Sequence, residues 1–93
     1  MLFHVAIHHP KPELEQALID SMHRFGAAAR TQAGLREVHT LRDARSGILM
    51  GLAVWESASA LEAARPALAA AIDGDDFDTW ESEPPEVLLL EEV

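Results

Sequence analysis

The chain has 93 residues, no cysteine and 48 % hydrophobic residues, which suits one domain with a modest core and excludes disulfides and thiolate metal sites. Seven Lys and Arg against sixteen Asp and Glu give a formal net charge of -9. That field repels phosphate backbones and anionic lipid, so neither nucleic acid nor a membrane is an expected partner. No apolar run approaches the ~18 residues of a membrane helix. Met1 leads into a short strand without a basic segment or long apolar leader, so the expected location is cytoplasmic. A domain this small, with nothing to staple it, commonly gains stability by oligomerising.

Residues 2–8 alternate, with Phe3, Val5 and Ile7 on one face and Leu2, His4, Ala6 and His8 on the other. His9-Pro10-Lys11-Pro12 stops this strand, and Pro12 suits a first helical turn. Leu14, Ala17, Leu18, Ser21, Met22, Phe25 and Ala29 recur at helical spacing, predicting an amphipathic helix from about residue 13 to 33 with Gly34 closing it. His23 falls opposite the apolar stripe and is expected to be exposed. Residues 35–42 read as a second, edge-like strand, followed by a hairpin loop, Asp43-Ala44-Arg45-Ser46-Gly47.

Residues 48–55, Ile-Leu-Met-Gly-Leu-Ala-Val-Trp, are apolar on both faces, as a central strand covered on both sides should be. Ser57 is the natural N-cap of a second helix whose buried stripe is Leu61, Ala64, Leu68, Ala71 and Ile72. Pro66 removes a hydrogen bond to the Glu62 carbonyl, so a kink or two abutting helices is expected. Asp73, Asp75, Asp76 and Asp78 surround Phe77 and Trp80 in a loop read as solvated. Residues 86–93 make a fourth strand. The order β-α-β-β-α-β predicts an α+β, ferredoxin-like domain with a four-stranded antiparallel sheet. Helices cover one face of such a sheet, and the doubly apolar third strand requires that something cover the other.

Three segments carry a family resemblance: the strand at Met1–His9, the Gly34-Leu35 step, and Gly51-Leu52-Ala53-Val54-Trp55-Glu56-Ser57 before an Ala-rich helix. Together they resemble the dimeric α/β-barrel superfamily in its antibiotic-biosynthesis-monooxygenase-like branch. The resemblance implies a homodimer, with two sheets packed face to face and helices outside. It also implies a pocket between each sheet and its own helices, where relatives bind polycyclic phenols, quinones or haem. Some members oxidise anthrone-like substrates with O₂ and neither metal nor flavin, so no cofactor is expected. Haem-degrading members use an Asn, a Trp and a His where this chain has Ile7, Ala64 and Gly74. Haem degradation is therefore not expected.

A cofactor-independent oxygenase of a small aromatic, polyketide- or quinone-type molecule needs a base near neutral pKa and a dry, flat cavity. His4, His39 and His8 are the candidate bases. His39 would lie roughly opposite Gly51 in a tight hairpin register, with space beside it. A strand histidine satisfied by a core hydrogen bond is the plainer reading of His4. Trp55, Trp80 and Phe25 are the candidates to shape the cavity, although Trp55 also suits a core position. His4 and His8 stand about 13 Å apart along a strand, too far to share one metal ion. The acidic run at Asp73 lacks the ligand spacing of a calcium loop, so no metal site is expected. The rival reading is a non-catalytic dimeric binding or structural protein of the same fold, and a stand-alone regulatory module would require a monomer. An enclosed apolar pocket of about 300 Å³ with a convergent histidine favours ligand chemistry over a filled interior.

Overall fold

The computed structural model describes Met1–Val93. Strands β1 (Leu2–His8), β2 (Leu35–Arg42), β3 (Leu49–Trp55) and β4 (Glu86–Glu91) form one antiparallel sheet in the order β2-β3-β1-β4. Helices α1 (Glu15–Arg30) and α2 (Ala58–Ala71) pack on one face of it, and a short helix α3 (Phe77–Trp80) follows. This is the ferredoxin-like α+β fold expected from the element order.

Leu18, Ser21, Met22, Gly26 and Ala29 form the buried stripe of α1, and their spacing keeps them on one side over about three turns. The main core joins Ala29 to Leu2, Ala53 and Trp55 of the sheet and to Leu61, Ala64 and Leu68 of α2. A smaller cluster joins Leu18 and Met22 to Leu49, flanked by Phe77 and Trp80. Trp55 is fully buried, and its indole N–H has no partner. Its contribution is packing.

Several boundaries differ from expectation for local reasons. Pro12–Leu14 form a separate 3₁₀ turn, so α1 begins at Glu15 and ends at Arg30. Ser57 caps α2 as expected, accepting from the Ala60 N–H at 3.1 Å. The helix then runs through Pro66 as one element rather than two abutting ones, with Glu62, Arg65 and Pro66 on its exposed side. Residues 77–80, read as loop, make one helical turn. Asp76 caps it by accepting from the Thr79 N–H at 3.3 Å and hydroxyl at 2.5 Å.

The β2-β3 hairpin closes one residue later than expected. The Asp43 N–H donates to the Ile48 carbonyl at 2.8 Å, while its carboxylate accepts from the Ser46 hydroxyl at 2.5 Å and N–H at 3.3 Å. Ile48 thereby joins the loop. Thr40 pairs with Gly51, and His39 pairs with Leu52.

The sheet face away from the helices is apolar, as anticipated. Alternation and pairing put Phe3, Val5 and Ile7 beside Met50, Leu52 and Val54, with Leu88 and Leu90 next to them on the edge strand. Leu88 is 40 % and Leu90 47 % exposed.

Gly34 turns the chain from α1 into β2 with φ +88°, and a Cβ there would stand 2.5 Å from Ala60 Cβ. Gly47 also has a positive φ, but open space surrounds it. Urea unfolding should therefore show Gly34→Ala losing about 2 kcal/mol or more and Gly47→Ala only about 1 kcal/mol. Equal losses would contradict the close approach of β2 to α2.

Candidate active site

Alternation along β1 sends Leu2, His4, Ala6 and His8 toward the helices. Leu2 enters the core, while the other three form the floor of a cavity of ≈ 230 Å³ between the sheet and α1. Val38 and Thr40 of β2, and Gly51 and Ala53 of β3, continue that floor. Ser21, Met22 and Phe25 of α1 form the roof, and Ile72, Phe77, Pro85 and Val87 close the sides. The missing side chain of Gly51 matters here. A Cβ at that position would stand 3.5 Å from Met22 Cε and 4.0 Å from Ala6 Cβ, so it would occupy the middle of the floor.

His4 is half-buried, with its ring centroid 6.1 Å from that of Phe25. Burial, and secondarily the positive charge of Arg65, hold its imidazole below the ordinary 6.5. It is thus a neutral ring, able to accept a proton or hydrogen bond, at neutral pH.

His8 is 9 % exposed and stacks on Phe77, with centroids 6.0 Å apart and planes 25° apart. Its Nδ1 lies 3.0 Å from Oε2 of Glu81, which is itself 5 % exposed. The other Glu81 oxygen accepts the His9 N–H at 2.9 Å.

The segment after α2 is fastened over this end of the cavity. Asp75 accepts from the Ser21 hydroxyl at 2.6 Å and from Arg24 at 3.1 Å. Burial raises the Asp75 carboxyl, but these hydrogen bonds and the Arg24 charge outweigh it and leave it below the ordinary 3.8. With its side chain 10 % exposed, Asp75 is a clamp, and the expectation of a solvated acidic loop is corrected there.

Of the residues singled out in the sequence, His4, His8 and Phe25 meet at this cavity. His39 borders it too, but its neighbours Val38 and Thr40 are the residues of β2 that face α1. Its imidazole therefore lies on the opposite sheet face, half-exposed and 3.2 Å from Glu37 Oε1. The one-residue change in hairpin register moved it there. Trp55 stands in the core away from the cavity. Trp80 buttresses the Phe77 ring edge-on at 5.6 Å without lining the cavity. Glu81 went unnoticed because an acid in an acidic stretch reads as solvated. The only trace it leaves is its place one residue after a Phe–Trp pair.

Neither a protein-family model nor a curated protein sequence matches this chain. Solved structures do. Rv0793 from Mycobacterium tuberculosis superposes with a TM-score of 0.85 at 20 % identity, over 99 % of this chain and 94 % of that one. A structure described as an antibiotic biosynthesis monooxygenase gives 0.81 at 16 % identity, over 100 % and 99 %. The chain has the antibiotic-biosynthesis-monooxygenase-like fold. PA3566 from Pseudomonas aeruginosa shares it, with a TM-score of 0.80 at 18 % identity over 99 % and 93 % of the two chains.

The depressed His4 pKa has a consequence for stability. The folded protein resists protonating this ring, so its contribution is full above the unfolded value of 6.5 and is lost as pH falls through the lower folded value. Between about pH 7.5 and about pH 5, wild type should therefore lose more unfolding free energy than His4→Gln. Parallel losses in the two proteins would show that His4 is not desolvated.

Proposed function

We propose that this protein is a cofactor-independent oxygenase of a small, flat aromatic, polyketide- or quinone-type molecule, working as a homodimer. The observation that carries this reading is a mainly apolar cavity with two imidazoles, His4 and His8, on its floor. The fold shared with a structure described as an antibiotic biosynthesis monooxygenase supports it. At ≈ 230 Å³ the cavity is below the ~300 Å³ at which drug-sized sites begin. It suits two fused rings better than four.

The chemistry asks little of the protein. An imidazole takes a proton from an acidic CH₂, leaving an enolate stabilised by the ring system. The enolate passes one electron to O₂, and the radical pair joins as a C–O bond. The second proton on that carbon passes to the outer peroxide oxygen as the O–O bond breaks, giving a C=O group and hydroxide. The proton held by the base converts hydroxide to water. One oxygen atom enters the product and the other leaves, so O₂ is the only oxidant. A cavity that excludes water protects the enolate and strengthens each hydrogen bond to it.

The dimer reading rests on the open sheet face. Phe3, Met50, Leu52, Leu88 and Leu90, over a buried Val5, make a contiguous apolar surface of the kind that marks an interface. A second copy presenting the same face would cover it. A non-catalytic binding protein of the same architecture is the second reading, favoured by the modest cavity and the absence of tyrosine.

Two experiments test these readings. Oxygen uptake with an anthrone, under metal chelation, should be saturable and consume one O₂ per product, with one atom of ¹⁸O₂ entering the product. Binding of the probe without uptake would select the non-catalytic reading instead. Native mass spectrometry should show a dimer, and Leu52→Lys should shift it to monomer by burying an unpaired charge in the interface. A monomeric wild type would remove the dimer reading.

A further inference from the structure

Glu81 is a buried acid with both oxygens engaged. An isolated antiparallel bridge joins it to Pro10, which brings the chain after α3 back against the end of β1. Oε1 takes the His9 N–H at 2.9 Å, a backbone contact that would by itself fasten the loop. Oε2 meets a ring that faces the cavity, at 3.0 Å from His8 Nδ1. Burying a carboxylate is costly, and the cost is offset only by well-formed partners. That the second partner is a cavity imidazole is the feature loop closure alone does not explain.

Three contacts fix His8 completely. Pairing with Leu49 sets its backbone, stacking on Phe77 sets the ring plane, and Glu81 sets which nitrogen holds the proton. With Nδ1–H donated to the carboxylate, the lone pair is on Nε2, which has no partner within the chain. His4 is built differently. It has Phe25 beside it and no carboxylate, and its protonated form is disfavoured by burial and by Arg65.

We propose that His8 is the base of this cavity and that Glu81 is its positioning residue, while His4 accepts a hydrogen bond from the substrate. The assignment rests on the oxygenase reading above and divides the work between the two imidazoles. The substrate C–H bond breaks, its proton goes to His8 Nε2, and its electron pair stays on the substrate as enolate. Glu81 remains ionised and stabilises the imidazolium, as a carboxylate behind an imidazole does in hydrolytic triads. The same proton later leaves Nε2 for the departing hydroxide, restoring neutral His8. Glu81 touches neither substrate nor O₂ in this scheme.

The test combines a tautomer measurement with kinetics on the full-length protein. Imidazole ¹⁵N–¹H correlation spectra at about pH 8 should show His8 of the wild type as the Nδ1–H tautomer. Glu81→Gln keeps an oxygen for the His9 N–H, so the fold is retained. Its amide NH₂ then donates to Nδ1, so it should switch His8 to the Nε2–H tautomer and lower kcat with anthrone about 10²-fold or more, with KM little changed. His8→Ala should fall at least as far and be partly rescued by added imidazole, which a purely structural role would not allow. His4→Gln should act chiefly on KM.

An Nε2–H tautomer in wild type, or an unchanged kcat in folded Glu81→Gln, overturns the assignment. So does full activity in His8→Ala. Should wild type consume no O₂ with anthrone, the oxygenase reading fails. The His8 tautomer and its response to Glu81→Gln then decide the positioning role separately.

Discussion

Everything at this site depends on the alternation of β1, a single strand hydrogen-bonded on both sides. Pairing with β3 on one edge and β4 on the other leaves its backbone no freedom to slip. A slip of one residue would exchange its two faces. Held as it is, the strand sends His4, Ala6 and His8 beneath α1 and sends Phe3, Val5 and Ile7 to the open face. The cavity and the surface assigned to a second copy are therefore two sides of one constraint. Replacing the histidines leaves the strand in place. Shifting its register would destroy both features together.

A second theme is the use made of negative charge. The chain carries a net charge of -9, yet three acids of the segment after α2 are fixed by specific partners. Asp75 holds α1 through Ser21 and Arg24, Asp76 caps α3, and Glu81 joins His8 and His9. Charge-assisted hydrogen bonds of this sort are stronger than neutral ones, and they press Phe77 against the end of the cavity. The stretch looks like a solvated loop in composition. In place it is a strap tied at both ends, and the ring it carries stacks on His8.

How much of this could be read beforehand follows from how local each signal is. Strand alternation is local, so the shared face of His4 and His8 was legible, as were the Ser57 cap and the apolar stripe of α1. The apolar open face was legible too, because it follows from the same period of two. His39 was misplaced because hairpin register depends on where a loop closes, and Asp43 closes it through its own backbone and side chain. Trp55 belongs to the core because α2 folds back over the strand end, which is a tertiary fact. Glu81 was illegible for the opposite reason. Its partner lies 73 residues earlier, and nothing in an isolated Glu announces a contact at that distance.

The proposed function requires that this protein meet its small molecule in the cavity between the sheet and α1. The most direct test is an anaerobic NMR titration with a naphthohydroquinone, following imidazole and methyl resonances with O₂ removed so that nothing turns over. Saturable shifts are expected at His4, His8 and the Met22 methyl, larger than any at His39, which borders the cavity from across the sheet, while Trp55, in the core, stays unmoved. Shifts confined to His39 and the leucines of β4, or none at all, would contradict the proposed function.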